Sequence, residues 1–170
     1  MTTFSSRNRS VATVPVLPEL IWDILSDPDA LAQMTPLVDR ITTDGNMWSW
    51  TLAGISALGV SVAPTFSEHM TFVPTSRIEY RHEPPPGRSE RAGASGTYLI
   101  TQVGDDRSKL HIDITLCVEL PLPGFSRRAV ERIMAATMQR TGDGFAANLY
   151  ERLGIDPSTV DVKVLEGAGA

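Results

Sequence analysis

Two side chains in this 170-residue sequence carry acid/base chemistry in positions where the local pattern is apolar: Glu68 and His82. Phe66, Met70 and Phe72 recur at every second position around Glu68, with Ser67, His69 and Thr71 between them. That alternation is a strand with one apolar face, and it aims the Glu68 carboxyl into that face. An unpaired carboxylate is costly to bury, so the group must be paired, hydrogen-bonded or protonated. A buried carboxyl with a raised pKa is what a general acid or base needs. The alternative is a bulge or strand end that leaves Glu68 in water, the usual place for a carboxylate. His82 keeps phase with Ile78 and Tyr80 and so points inward near the end of its own strand. Together the two would form an acid/base pair or a polar anchor for a ligand hydroxyl.

A second group of residues offers surface rather than reactivity. Trp48, Trp50 and Leu52 share one strand face, which makes either ordinary core or a flat wall for an aromatic or sterol-like molecule. Met134 and Met138 lie one helical turn apart, and methionine adapts to variable shapes. Tyr80 and Tyr98 supply phenolic donors. The expected lining of a binding site is thus Trp48, Trp50, Leu52, Phe66, Met70, Tyr80, Tyr98, Met134 and Met138.

Other chemistries find no support. No His-x-x-x-His pair or His/Asp cluster has metal-ligand spacing, and neither metal nor cofactor is expected. There is no Gly-x-Ser-x-Gly elbow, phosphate-binding loop or dinucleotide fingerprint. Gly54 to Gly59 joins two strands and opens no helix, so it reads as a flexible segment near a cavity mouth. The net charge of −5 argues against a nucleic-acid partner. No run of eighteen apolar residues predicts membrane insertion, and Met1 to Ser10 lacks the apolar stretch of a secretory signal. Cys117 is the single cysteine, on the polar face of its strand and without a base partner, which suits a reducing cytoplasm and an inert thiol.

The elements that position these residues follow from periodicity. Val11 to Val16 reads as a first strand. Pro18 opens a short helix with Leu20/Ile24 and Ile21/Leu25 pairs, and a second short helix runs from Pro28 to Met34. Strands are then expected at Val38–Thr43, Met47–Ala53, around Phe66–Phe72, Ile78–His82, Thr97–Val103 and Leu110–Leu120, with a loop from Glu83 to Gly96. Leu110, Ile112, Ile114, Leu116 and Val118 alternate with polar residues throughout, the mark of an antiparallel sheet with one wet face. From Ser126 to Leu153 the period changes to 3.6, with Val130, Met134, Met138, Thr141, Phe145, Leu149 and Leu153 on one stripe. Gly142 and Gly144 predict a bend or a close contact within that helix. Gly154 is placed to end it, Val160 to Val164 could add a strand, and the Gly-Ala ending is expected to fray. The chain is therefore expected to be one α+β domain whose sheet buries its apolar face against the last helix.

The stretch Val14-Pro15-Val16-Leu17-Pro18-Glu19-Leu20-Ile21-Trp22-Asp23-Ile24-Leu25-Ser26-Asp27-Pro28, with Gly45-Asn46-Met47-Trp48-Ser49-Trp50 and Arg77-Ile78-Glu79-Tyr80, resembles the START-like (SRPBCC) superfamily. That superfamily includes lipid-transfer and polyketide cyclase/dehydrase-like proteins. The resemblance covers residues 4–154, leaving 155–170 as a tail. It implies a helix-grip fold: a curved antiparallel sheet of about seven strands, with two short helices, wrapped around a long C-terminal helix. It also implies a cavity between sheet and helix for a small hydrophobic molecule. The quoted positions belong to the scaffold, and no catalytic motif transfers with them. Three readings follow: a carrier or sensor of a lipid-, sterol- or polyketide-like molecule, a cyclase/dehydratase-like enzyme using Glu68 or His82, and a partner-binding protein, for example a homodimer through the outer sheet face.

Overall fold

The computed structural model describes residues 1–57 and 59–165, so Leu58 of the Gly54–Gly59 segment and the Gly-Ala ending lie outside the described residues. Strand β1 (Thr2–Val14) precedes helices α1 (Pro18–Leu25) and α2 (Pro28–Met34). Strands β2 (Val38–Asp44), β3 (Met47–Leu52), β4 (Ile55–Ala57), β5 (Val60–Val62), β6 (Thr65–Val73), β7 (Arg77–His82), β8 (Ala92–Val103) and β9 (Arg107–Leu120) follow. Helix α3 (Arg127–Leu153) and strand β10 (Asp161–Leu165) complete the chain. Eight strands form one antiparallel sheet in the order β10-β1-β9-β8-β7-β6-β3-β2, and β4 pairs with β5 alone. The expected count of about seven is thus low.

The local signals act as anticipated at the turns and caps. Asp27 caps α2 by accepting from the backbone N–H groups of Asp29 and Ala30 at 2.9 and 3.1 Å. Gly45 turns β2 into β3 at φ +58°, and Gly154 ends α3 in the left-handed conformation. β1 is longer than its apolar residues suggest. Thr2 through Val14 pair residue by residue with β9, which holds the polar run Ser5–Ser10 extended.

α3 is about 40 Å long at 1.5 Å per residue and is held at both ends. Toward its C-terminus Phe145, Leu149 and Tyr150 enter the main core with α1, α2 and the aromatic residues of β3 and β6. Asn148 donates to the Met34 carbonyl at 2.8 Å. Gly144 lies against Pro36, where a β-carbon would come within 2.6 Å of the proline ring. The close contact foreseen from the glycines is therefore at Gly144. Toward its N-terminus Val130 and Met134 join a second, separate cluster with Phe4 and Leu120. Gly142 faces open space. Gly142→Ala is therefore expected to stabilise the protein by about 0.5–1 kcal/mol, read as a raised urea midpoint. Among the described residues, no helix is long and apolar enough to cross a membrane.

Candidate functional site

The site is built on the concave face of the sheet. Glu68 on β6 stands opposite Trp48 on β3 and opposite His82 on β7. It is only 2% exposed, among Trp48, Trp50, Met70 and Tyr80 in the main core. Burial raises its pKa from 4.5 to about 8, while the neighbouring Trp50 side chain pulls slightly the other way. Among the described residues, neither Trp50 Nε1 nor Glu68 Oε2 completes a hydrogen bond. At neutral pH Glu68 is therefore a neutral carboxylic acid within an apolar wall, able to donate a proton or a hydrogen bond.

Tyr80 and Tyr98 continue this polar spot across the sheet, with ring centroids 5.2 Å apart. Burial pushes both phenols up, most strongly Tyr80, and the Glu68 carboxyl adds to the effect in each. Tyr80 Oη donates to the Asp113 carbonyl at 3.3 Å. The phenol lies across Gly96, where any β-carbon would collide with it. Gly96 falls in the loop expected from the sequence, yet β8 already begins at Ala92. Small residues here have little strand propensity of their own. They pair as a strand because the rings of Tyr80 and His82 occupy the space above Gly96 and Gly93.

His82 does not pair with Glu68. Its Nε2 meets Glu90 Oε2 at 3.0 Å, and its ring fills the place of a side chain at Gly93. The same Glu90 carboxylate accepts from the Ser67 backbone N–H at 2.7 Å and from Ser67 Oγ at 2.9 Å. Ser95 Oγ in turn accepts from the His82 backbone N–H. The expected Glu68–His82 acid/base pair is thus replaced by a latch between the loop after β7 and the adjoining strand β6. Sequence could not reveal it, since Glu90 comes from a loop with no period. Glu90→Ala leaves the buried Ser67 N–H without an acceptor and is expected to lower stability by about 2 kcal/mol in urea unfolding.

Trp48, Trp50, Phe66 and Met70 are all buried. Trp50 stacks on Phe66 at 6.4 Å and 10°, and Trp48 packs against Phe72 at 5.7 Å. These rings form a filled aromatic layer that also meets α1, where Trp22 lies edge-on to Phe72. The open space lies beside them. An apolar cavity of about 70 Å³ is lined by Leu52 of β3, Val60 and Val62 of β5, Leu116, Val118 and Leu120 of β9, and Val130, Ile133, Met134 and Thr137 of α3, with Pro64 and Leu122. Of the nine expected lining residues, Leu52 and Met134 touch it, and Met138 is half-buried on the same helix. From this cavity a half-buried row, Val118, Leu116, Ile114 and Ile112, leads along β9 to Tyr98, the cross-strand partner of Ile112.

A larger groove of about 460 Å³ lies elsewhere, between α2, residues 35–41 and Asn148. Asp29, Gln33, Asp39 and Arg40 give it a polar, open wall, and neither Glu68 nor the β9 row reaches it. Among the described residues, no three His, Cys, Asp or Glu side chains are grouped to hold a metal ion. Cys117 is half-buried, and burial raises its thiol pKa, which lowers its reactivity.

Residues 6–153 match the protein family described as polyketide cyclase / dehydrase and lipid transport. No curated protein matches the chain. Among solved structures, a conserved protein from Geobacillus kaustophilus aligns with TM-score 0.65 and 14% identity, over 92% of this chain and 98% of that one. The Zhui aromatase/cyclase from Streptomyces sp. R1128 aligns with TM-score 0.63 and 16% identity, over 86% and 93%. A START superfamily protein from Mycobacterium smegmatis aligns with TM-score 0.59 and 18% identity, over 86% and 97%. At these identities the likeness shows the fold.

Proposed function

Since the chain belongs to the polyketide cyclase/dehydrase and lipid transport family, within the START-like superfamily, we propose that it binds a small hydrophobic molecule between the β9 row and α3, as a carrier or sensor. One observation carries this reading. α3 joins two core clusters, and the inner row of β9 from Ile112 to Val118 packs against them while staying only half-buried, beside the cavity that Ile133, Met134 and Thr137 of α3 also line. A helix that served only to cover the sheet would bury that row, because leaving apolar area wet forgoes about 25 cal/mol per Å².

The cavity volume of about 70 Å³ holds only a short alkyl segment, against roughly 300–1,000 Å³ for a typical ligand site. Entry of a whole molecule therefore needs one wall to move. The β4–β5 hairpin is that wall, since among the described residues it pairs with no other strand and a lone two-stranded hairpin is marginally stable. Native mass spectrometry of protein purified from cells, followed by a panel of lipids and polyphenols, tests the proposal. A one-to-one complex with an apolar molecule is expected. An empty protein that binds nothing in the panel would overturn it.

A second reading, catalysis, is favoured by one feature: Glu68 is a neutral carboxylic acid at neutral pH with an unpartnered oxygen. Such a group can protonate a ligand carbonyl, as a cyclase or dehydratase requires. Loss of turnover in Glu68→Gln with ligand affinity retained would support this reading over simple binding.

A further inference from the structure

The two edges of the large sheet are finished differently. At one edge α2 packs against β2, and the register shifts between Val38 and Arg40. Cover and bulges are how sheets discourage pairing with other chains. At the other edge, among the described residues, β10 has β1 as its one neighbour. Its five residues pair with β1 in unbroken register, and all are exposed. Val162 and Val164 stand opposite Ala12 and Ser10, on the helix side of the sheet, at 52% and 56% exposure. Asp161 and Lys163 occupy the opposite face.

The order of these residues is self-complementary. Consider a second copy laid antiparallel along β10 with the two-fold axis through Val162. Within β10, Val162 then faces Val162 and Asp161 faces Lys163 twice, while Val164 and Leu165 extend past the end of the second copy's strand. The central valine meets its own copy and each charge meets its opposite. Moving the axis to Lys163 sets Lys against Lys, and moving it to Asp161 sets Asp against Asp, both unfavourable for directly opposed residues. We propose that β10 is a homodimerisation edge, on which a second copy of this chain pairs antiparallel in the register centred on Val162. The backbone groups of the edge and the Val162 contact supply the affinity, while the two exposed ion pairs mainly select the register. The inference stands apart from the ligand-binding reading, because β10 touches neither the cavity nor Glu68.

The test is sedimentation equilibrium of the full chain over a wide concentration range. A monomer–dimer equilibrium is expected for the wild type. Asp161→Lys and Lys163→Asp each place like charges opposite one another twice, and each is expected to weaken the dimer about tenfold or more. The double exchange D161K/K163D restores opposite charges and is expected to dimerise like the wild type. Mixing the two single variants gives a heterodimer with both pairs attractive, and the mixture is expected to associate more tightly than either variant alone. Near-ultraviolet circular dichroism checks that each variant stays folded, which the peripheral position of β10 favours. A wild type that remains monomeric up to its solubility limit overturns the proposal. So does a dimer that both single variants leave unchanged, which would place the contact on another face.

Discussion

Glu68→Gln is expected to abolish a loss of stability that the wild-type protein undergoes between pH 4.5 and about 8. Burial lifts the carboxyl from 4.5 in the unfolded chain to about 8 in the fold. Between those values the folded state holds a proton that the unfolded state has released. The unfolded state binds fewer protons there, so stability falls as pH rises. The protonated group's contribution is complete below 4.5 and is lost as pH passes through about 8. One proton over that interval corresponds to a change on the order of 5 kcal/mol. Glutamine has the same shape and no proton to lose. Urea unfolding of both proteins at a series of pH values measures the difference directly. The two should be similar near pH 5, and the glutamine variant should be more stable by several kcal/mol above pH 8. Parallel curves would mean that Glu68 is solvated in the folded protein.

Gly96→Ala is expected to cost about 3 kcal/mol, the upper range for overpacking a core. A β-carbon at residue 96 meets the Asp113 carbonyl oxygen on β9 and lies 2.6 Å from Tyr80 Oη and 2.8 Å from the attached ring carbon. The tyrosine could swing aside, but the carbonyl is backbone of a paired strand. Trimming the ring with Tyr80→Leu is therefore not expected to rescue the alanine variant. Equilibrium urea unfolding of the single and double variants decides this. A loss below about 1 kcal/mol for Gly96→Ala, or rescue by Tyr80→Leu, would show that β8 is free to shift away from β9.

The parts of this fold written in period-two alternation were legible from sequence. Leu110 to Val118 announced β9, and the phase of Glu68 among Phe66, Met70 and Phe72 aimed its carboxyl at the apolar face, though a bulge or strand end could equally have left it wet; the packing buries it. The helix stripe announced α3, and its methionine at residue 134 does reach the cavity. What escaped was held by partners distant in sequence. The first half of β1 carries serine, arginine and asparagine, and only its pairing with β9 makes it a strand. Ala92–Gly96 read as loop because its residues are small, yet their smallness is what lets Tyr80 and His82 lie above them. His82 has the phase of an inward residue, but its ring found Glu90 in a loop that no periodicity describes. The two tryptophans were correctly placed on the apolar face. Whether that face was wall or filling depended on Phe66 and Phe72 stacking against them, a matter of packing and not of pattern.

The cavity itself came least from sequence, since it depends on where α3 fails to touch the sheet. Methyl-resolved NMR with a short-chain apolar probe, such as decanol, examines that space residue by residue. Shifts are expected to centre on Ile112, Ile114, Leu116, Val118, Ile133 and Met134, with Ile24 and Leu31 in the packed core unmoved. Shifts confined to the groove beside Leu37 and Ile41, or no shifts at saturating probe, would contradict that expectation.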